Sequence, residues 1–203
     1  MKNIIQQGAE AIIFLDENKN VVKERISKSY RLKELDEKIR KLRTRSETKL
    51  LEKAGKIISV PEVIQSDEKS KKIIMEFVEG KKLSDFLNDF SLEKQKQIIK
   101  QVGKSLAKLH NQSLIHGDLT TSNLILKDDK IYFIDFGLGY HSAKLEDKAV
   151  DIHLFKQALE AKHFLNWKIL FEEFLKSYSE ECEESEKVLA QLEKVEKRGR
   201  YRH

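Results

Sequence analysis

The run His116-Gly117-Asp118-Leu119-Thr120-Thr121-Ser122-Asn123 is followed, twelve residues after its asparagine, by Asp135-Phe136-Gly137. The two segments supply a carboxylate, an amide five positions on, and a second carboxylate. That order and spacing suit phosphoryl transfer from a nucleotide. A carboxylate of that kind can orient a hydroxyl or a water, and an amide with a second carboxylate can hold a metal ion on the phosphates. The intervening Leu124–Ile134 stretch reads as strand, tight polar turn, strand, and a hairpin of that kind returns Asp135 to the neighbourhood of Asn123. Metal sharing demands that return. The plain alternative is a polar turn before a hairpin, with a solvated aspartate.

Other residues must complete such a site. Lys23 follows the apolar Val21 and Val22 near the end of a short β-like run, from which an ammonium reaches phosphate oxygens if a carboxylate holds it. Glu47 is the best-placed partner: on a helix it shares a face with Arg43, Leu50, Leu51 and Ala54 and should point toward the sheet. Gly8, Ala9 and Glu10 precede the run Ala11–Leu15 and could bring backbone N–H groups to a phosphate, although a single glycine makes this only a turn when read alone. Glu76 and Val78, in a connector, would offer backbone groups to an adenine edge. Met75 just before them either lines the back of that pocket or is plain core. Asp151, with apolar neighbours, either braces the backbone of the 116–118 turn or is an aspartate favoured by a helix N-terminus. The six histidines lack zinc-ligand spacing and read as structural, and Cys182 is assigned no function.

The elements follow from periodicity. Residues 4–26 hold two or three β-like runs. Leu32, Leu35, Ile39 and Leu42 then recur at three- and four-residue steps, continued by Leu50, Leu51 and Ala54, which predicts one or two long amphipathic helices ending near Gly55. Pro61, the only proline, opens a second β region that closes at Glu79-Gly80. A helical period returns from Ser91 to His110, the motif hairpin follows, and helices should fill most of 147–198. The fold class is therefore α+β. It is expected as one domain over 1–203, with a sheet-rich lobe at 1–79, a helical lobe at 80–193 carrying the chemistry, and a basic tail at 194–203.

Composition bounds the setting. At 203 residues, with 36% charged and 39% hydrophobic, the chain can bury a real core beneath a very polar surface. One cysteine excludes an internal disulfide framework and fits a reducing compartment. No secretory signal and no membrane-length apolar run is visible, so a cytoplasmic protein without a membrane partner is expected. The net charge of +5 is unevenly spread. Residues 23–56 carry thirteen Lys/Arg against six Asp/Glu, and the last ten carry five bases and one acid. Arg198, Arg200 and Arg202 in that tail are candidate contacts to a polyanion such as RNA. The acidic run 172–186 reads as a solvated helix face.

The order Lys23, Glu47, His116-Gly117-Asp118…Asn123, Asp135-Phe136-Gly137 resembles the eukaryotic-type protein kinase superfamily in a very short, bilobal version. Arg43-Thr44-Arg45-Ser46-Glu47, Met75-Glu76-Phe77-Val78-Glu79-Gly80, Glu146-Asp147-Lys148-Ala149-Val150-Asp151 and the basic end narrow the resemblance to the kinase/ATPase subunits of KEOPS complexes, in their stand-alone archaeal form. The likeness implies ATP and Mg2+ as cofactors, Asp118 as the catalytic base, Asn123 and Asp135 as the magnesium ligands, and Lys23 and Glu47 as the phosphate lysine and its partner. It implies atypical serine/threonine kinase and ATPase activity in support of threonylcarbamoyl transfer to adenosine 37 of tRNA. The implied partners are tRNA, the threonylcarbamoyl-transferase subunit and a small regulatory subunit on the N-lobe.

The chain also departs from regulated kinases. Gly117 replaces an arginine, Thr120 replaces a lysine, and no Ala-Pro-Glu segment separates Gly137 from Asp151, so the platform for a peptide substrate is absent. Two readings of other classes remain: a small-molecule phosphotransferase of the aminoglycoside- or choline-kinase type, and a non-catalytic ATP-binding scaffold.

Overall fold

In a computed structural model the described residues are 3–200, with side chains described from Ile4 to Arg198. The N-terminal part is an antiparallel sheet of five strands in the order β1-β2-β3-β5-β4: β1 (Asn3–Gln7), β2 (Ala11–Leu15), β3 (Val21–Arg25), β4 (Val63–Asp67) and β5 (Lys72–Met75). One long helix, α1 (Lys33–Ala54), is laid across it against β4 and β5. The turns between strands carry the local chemistry required of them. At Asp16, for example, the carboxylate accepts from the Asn18 and Asn20 N–H groups and closes the β2–β3 hairpin.

The rotation of α1 about its axis departs from its apolar pattern. Leu32, Leu35 and Leu42 are exposed (79, 50 and 53%), while Asp36, Thr44, Glu47 and Thr48 are buried. The cause is electrostatic. Asp36 is inside because Ser27 Oγ, the Lys28 N–H and Arg40 Nε all donate to it, and Glu47 is inside because two cations of β3 do the same. A buried carboxylate without such partners costs far more than an exposed leucine. Only from Leu50 onward do the polar and apolar preferences of the helix agree.

After an extended connector at 76–79, β6 (Lys81–Lys82) joins a small sheet and the short α2 (Leu83–Phe86) follows. The helical part is built on α3 (Leu92–Asn111), capped by the Ser91 hydroxyl, which accepts from the Lys94 N–H. It leads through β7 (Leu114–Ile115) and a 3-10 turn at Thr121–Asn123 to the hairpin of β8 (Leu124–Lys127) and β9 (Lys130–Phe133). Asp128 and Asp129 both have positive φ (48° and 58°), the conformation of a two-residue turn whose twist matches its strands. The strand β10 (Tyr140–His141) pairs back on β7, and α4 (Leu145–Lys162), α5 (Trp167–Glu181) and α6 (Ser185–Arg200) complete the fold. Residues 194–200, expected as a tail, are the last turns of α6. Among the described residues no helix is long and apolar enough to cross a membrane.

The main core lies where α3 packs on α5 and α4 on α6, around Val102, Leu106, Phe155, Phe174 and Tyr178. Gly103 sets the α3–α5 distance, since a Cβ there would meet Ser177 Oγ and lie 2.6 Å from the Phe174 carbonyl oxygen. Gly103→Ala therefore forces the helices apart despite its better helix propensity. A loss of about 1–3 kcal/mol in urea unfolding, with an unchanged slope, is the expected outcome.

Candidate active site

The cleft between the sheet and the β8–β9 hairpin collects most of the chemistry-bearing residues. Lys23, on β3, is buried and sends its Nζ to Glu47 Oε1 (2.6 Å) and to Asp135 Oδ1 (2.7 Å). Burial alone would lower its pKa, but Glu47 and Asp135 together outweigh that and hold it above the ordinary lysine value. Asp135 shows the mirror case. Burial pushes its pKa up, whereas Lys23 and the Gly137 N–H pull the net value below the usual carboxylate range. Asp135 also has φ 62°, uncommon for a residue with a Cβ. Its neighbours Phe136, packed on His116 with ring centroids 4.6 Å apart, and Gly137, whose N–H donates to Asp135 Oδ1, hold the turn there.

Asn123 and Asp118 are coupled. Asn123 Nδ2 donates to Asp118 O (2.8 Å) and Oδ2 (3.1 Å), which leaves the amide oxygen for another partner. The Ile134 N–H donates to Asn123 O (2.9 Å), so the hairpin does return Asp135 to the amide. The oxygen donors of Asn123 and Asp135 fit magnesium, which takes one or two protein oxygens and completes its shell with phosphates and water.

Asp151, in the second turn of α4, is fully buried. Its two oxygens accept the N–H groups of His116 (2.7 Å) and Gly117 (2.8 Å), while the Asp118 N–H goes to His116 Nδ1 (3.3 Å). Gly117 has φ +79°, and a Cβ on it would collide with the Leu138 carbonyl. The arginine of regulated kinases therefore has no room at this position.

The cavity of about 280 Å³ in this cleft is lined by Lys23, Glu47, Asn123 and Asp135 at one end and by Met75, Glu76 and Val78 near the connector. Both readings of Met75 hold geometrically, since it belongs to the core and lines the cavity. Val21 from above and Ile125 from below are apolar lining residues that sequence reasoning overlooked, although the alternation of their strands signals which face they occupy. Gly8, Ala9 and Glu10 form the turn between β1 and β2 over a second cavity that adjoins the first at Lys23 and Asp135. Lys28 Nζ binds the Ala9 carbonyl, and the Glu10 carboxylate takes Arg43 (2.8 Å) and Arg31 (3.3 Å). That turn is tied to α1 by the Arg43 ion pair and to the segment before α1 by Arg31 and Lys28. Arg198 lies away from the cleft, where it pairs with Glu146 on the surface. The Arg200 side chain and Arg202 fall outside the described residues.

A family model described as the RIO domain matches residues 13–145. The KEOPS complex subunit Bud32 of Pyrococcus abyssi is 41% identical, over 98% of this chain and 96% of that protein. A probable serine/threonine-protein kinase BUD32 homolog of Archaeoglobus fulgidus is 40% identical, over 96% and 94%. A probable bifunctional tRNA threonylcarbamoyladenosine biosynthesis protein of Methanosarcina mazei is 40% identical over 98% of this chain, which spans only 35% of that relative's length. Among solved structures, the streptomycin–ATP ternary complex of APH(2")-IIa superimposes with a TM-score of 0.63 at 14% identity, over 96% of this chain and 80% of that one. That likeness concerns the fold. Sheet, connector, hairpin and helical core define a protein-kinase-like protein of the RIO-domain class. Within that class, the chain belongs to the Bud32 family.

The buried imidazoles beneath the site make it sensitive to acid. His110 donates from Nε2 to Asp151 (3.3 Å) and accepts the Tyr178 hydroxyl at Nδ1 (2.8 Å), whereas His116 donates from Nε2 to the Ile134 carbonyl (3.1 Å). Burial lowers both pKa values below the ordinary 6.5, and neighbouring carboxylates only partly offset it. A depressed histidine stabilises the fold fully above the unfolded value and loses that contribution as pH falls below it. Stability should fall as pH drops below about 6.5, by up to about 1.4 kcal/mol per pH unit for each histidine until it is protonated in the folded state as well. Urea melts across that range, with a shallower pH slope in His110→Gln, test this.

Proposed function

We propose that the chain binds ATP with Mg2+ and hydrolyses it as the ATPase/kinase subunit of a KEOPS-type assembly that makes threonylcarbamoyladenosine at position 37 of tRNA. The observation that carries the chemistry is the convergence of Lys23, Glu47, Asp135, Asn123 and Asp118 at one end of a single cleft. The names of the Pyrococcus and Methanosarcina relatives support the assembly and its product. Adenine would lie between Val21 and Ile125, with its edge on the backbone of Glu76–Val78, and Lys23, held by Glu47, would bind phosphate oxygens. Asn123 and Asp135 would hold magnesium, which supplies charge neutralisation for the phosphates when bound. Asp118, with one oxygen fixed by Asn123, would orient the nucleophile with the other.

Water is the favoured nucleophile. The segment after Gly137 is short, and β10 together with the Ser142 N–H to Ser113 carbonyl bond (2.9 Å) ties it to β7. It offers little surface for a docked peptide. ATP hydrolysis would then be the main activity and protein phosphorylation a minor one. The basic 194–203 end, including Arg198, supports contact with tRNA, and an exposed pair such as Arg198–Glu146 is weak enough to exchange for a phosphate. The bifunctional relatives, about three times this chain's length, support direct association with a threonylcarbamoyl-transferase subunit, and the N-lobe is offered to a smaller regulatory one. The work would be done in the cytoplasm, where ATP and tRNA are at hand.

ATP turnover by the purified protein tests the proposal, with free phosphate and protein-bound phosphate counted separately, and with and without tRNA and the transferase partner. Free phosphate should dominate and rise with partner or tRNA. Asp118→Ala and Asp135→Ala should each reduce it by about a hundred-fold or more. Label retained mainly on protein would make the chain a protein kinase, consumption dependent on a small alcohol or sugar would make it a small-molecule phosphotransferase, and unaltered support of the complex by Asp118→Ala would make it a scaffold.

A further inference from the structure

Arg25 lies two residues beyond Lys23 on the same face of β3, opposite Ala11 at the foot of the Gly8–Glu10 turn. It is 5% exposed, and its Nη2 donates to Glu47 Oε2 at 2.5 Å. Glu47 thus serves two buried cations with one carboxylate. Among the described residues the Arg25 Nε finds no hydrogen-bond partner although it is buried. An orphaned guanidinium nitrogen at such a place is costly, and it calls for an acceptor that comes and goes.

The surroundings indicate which acceptor. Arg25 lines the second cavity, of about 230 Å³, together with Gly8, Ala9, Asp118, Asp135 and Gly137. This cavity lies beyond Lys23, on the side of Asp118 and away from the connector at Glu76–Val78, which lines only the first cavity. Gly137 leaves the guanidinium approachable, since a Cβ there would lie 3.5 Å from Arg25 Nη2. Arg43 also lines the cavity, but its guanidinium is held by Glu10. Any cation that draws Asp135 toward it also removes one of the two carboxylates now neutralising Lys23 and Arg25. Two buried cations would then share Glu47 alone, a deficit of one negative charge beside the base.

We propose that Arg25 is a phosphate-binding residue for the terminal phosphate of a nucleoside triphosphate, seated between the Gly8–Glu10 turn and Asp118, and so sets the preference for triphosphate over diphosphate. A guanidinium suits this role because its planar fork serves Glu47 on one edge and a phosphate oxygen on another, which a lysine ammonium at the end of a flexible stem does less well. The inference rests on the ATP-binding reading of the cleft, and deepens it.

Calorimetric titration of the full chain with Mg2+ and either ADP or the non-hydrolysable β,γ-imido analogue of ATP tests it. Arg25→Gln should weaken the triphosphate analogue about ten-fold and leave ADP within about two-fold, with Arg25→Lys in between. Equal losses for both nucleotides would mean that Arg25 only positions Glu47 and Lys23, and would overturn the proposal, as would no loss for either. Should Arg25→Gln fail to fold, Arg25→Lys, which keeps the charge on Glu47, decides by the same ratio. If the wild-type chain binds neither nucleotide, the reading of the cleft falls with it. If it binds both and the variants do not discriminate, only the role of Arg25 falls.

Discussion

The carboxylate of Glu47 is nearly sealed from solvent, with Lys23 on one oxygen and Arg25 on the other. Taking three charged groups out of water is unfavourable by several kcal/mol per ion, and the attraction repays it only when the geometry is good. Breaking such a set by removing one partner leaves a buried unpaired charge and costs about 3–5 kcal/mol. The set is therefore kept whole, and the rest of the molecule is arranged around it. It fixes α1 against the sheet, it stretches Lys23 across the cleft to Asp135, and it holds the β3 end of the cleft rigid. The outward face of Leu32, Leu35 and Leu42 is the visible consequence of satisfying Glu47 and Asp36 first.

A second constraint works from the helical side. Asp151 accepts two adjacent backbone N–H groups and so holds the turn that carries Asp118. Behind it, His110, Tyr178 and Cys182 form a buried hydrogen-bonded chain that joins α3, α4 and α5 to the same turn. A network of this kind stiffens a core only if every member is satisfied, and here each imidazole is neutral with both nitrogens engaged. The left-handed backbone at Asp135 and Gly117 is sustained between these two frames, one on each side of the cleft. Strain at such positions persists where the surroundings over-determine the conformation.

Much of the fold was legible because its elements announce themselves locally. The 3.6-residue period of α1 and α3, the two-residue turn at Asp128-Asp129 and the alternation of β8 and β9 are statements about neighbours in the chain. The pairing of Lys23 with Glu47 was also readable, since Glu47 falls on the helix face that continues into Leu50, Leu51 and Ala54. Arg25 was not singled out. Its residue type and its β-strand position are ordinary, and only the fold reveals that it shares Glu47 and keeps a nitrogen unpaired. The apolar steps at Leu32, Leu35 and Leu42 misled in the opposite direction, because a period shows that one face is apolar but not that a partner waits for it.

By itself, the order of residues determined which groups are available for phosphoryl transfer, how the hairpin returns Asp135 to Asn123, and that a small sheet is followed by a helical core. These depend on turn geometry and short-range spacing, which act within a dozen or so residues. Only the tertiary structure decided how α1 is rotated, which of two readings of Asp151 holds geometrically, and why residue 117 lacks a side chain. The burial of Glu47 and the bracing by Asp151 depend on partners 22 to 35 positions away in the chain, and the glycine at 117 depends on a carbonyl of Leu138 that approaches only when the chain is folded. The energy of a buried charge depends on what surrounds it in space, and no pattern along the chain carries that information.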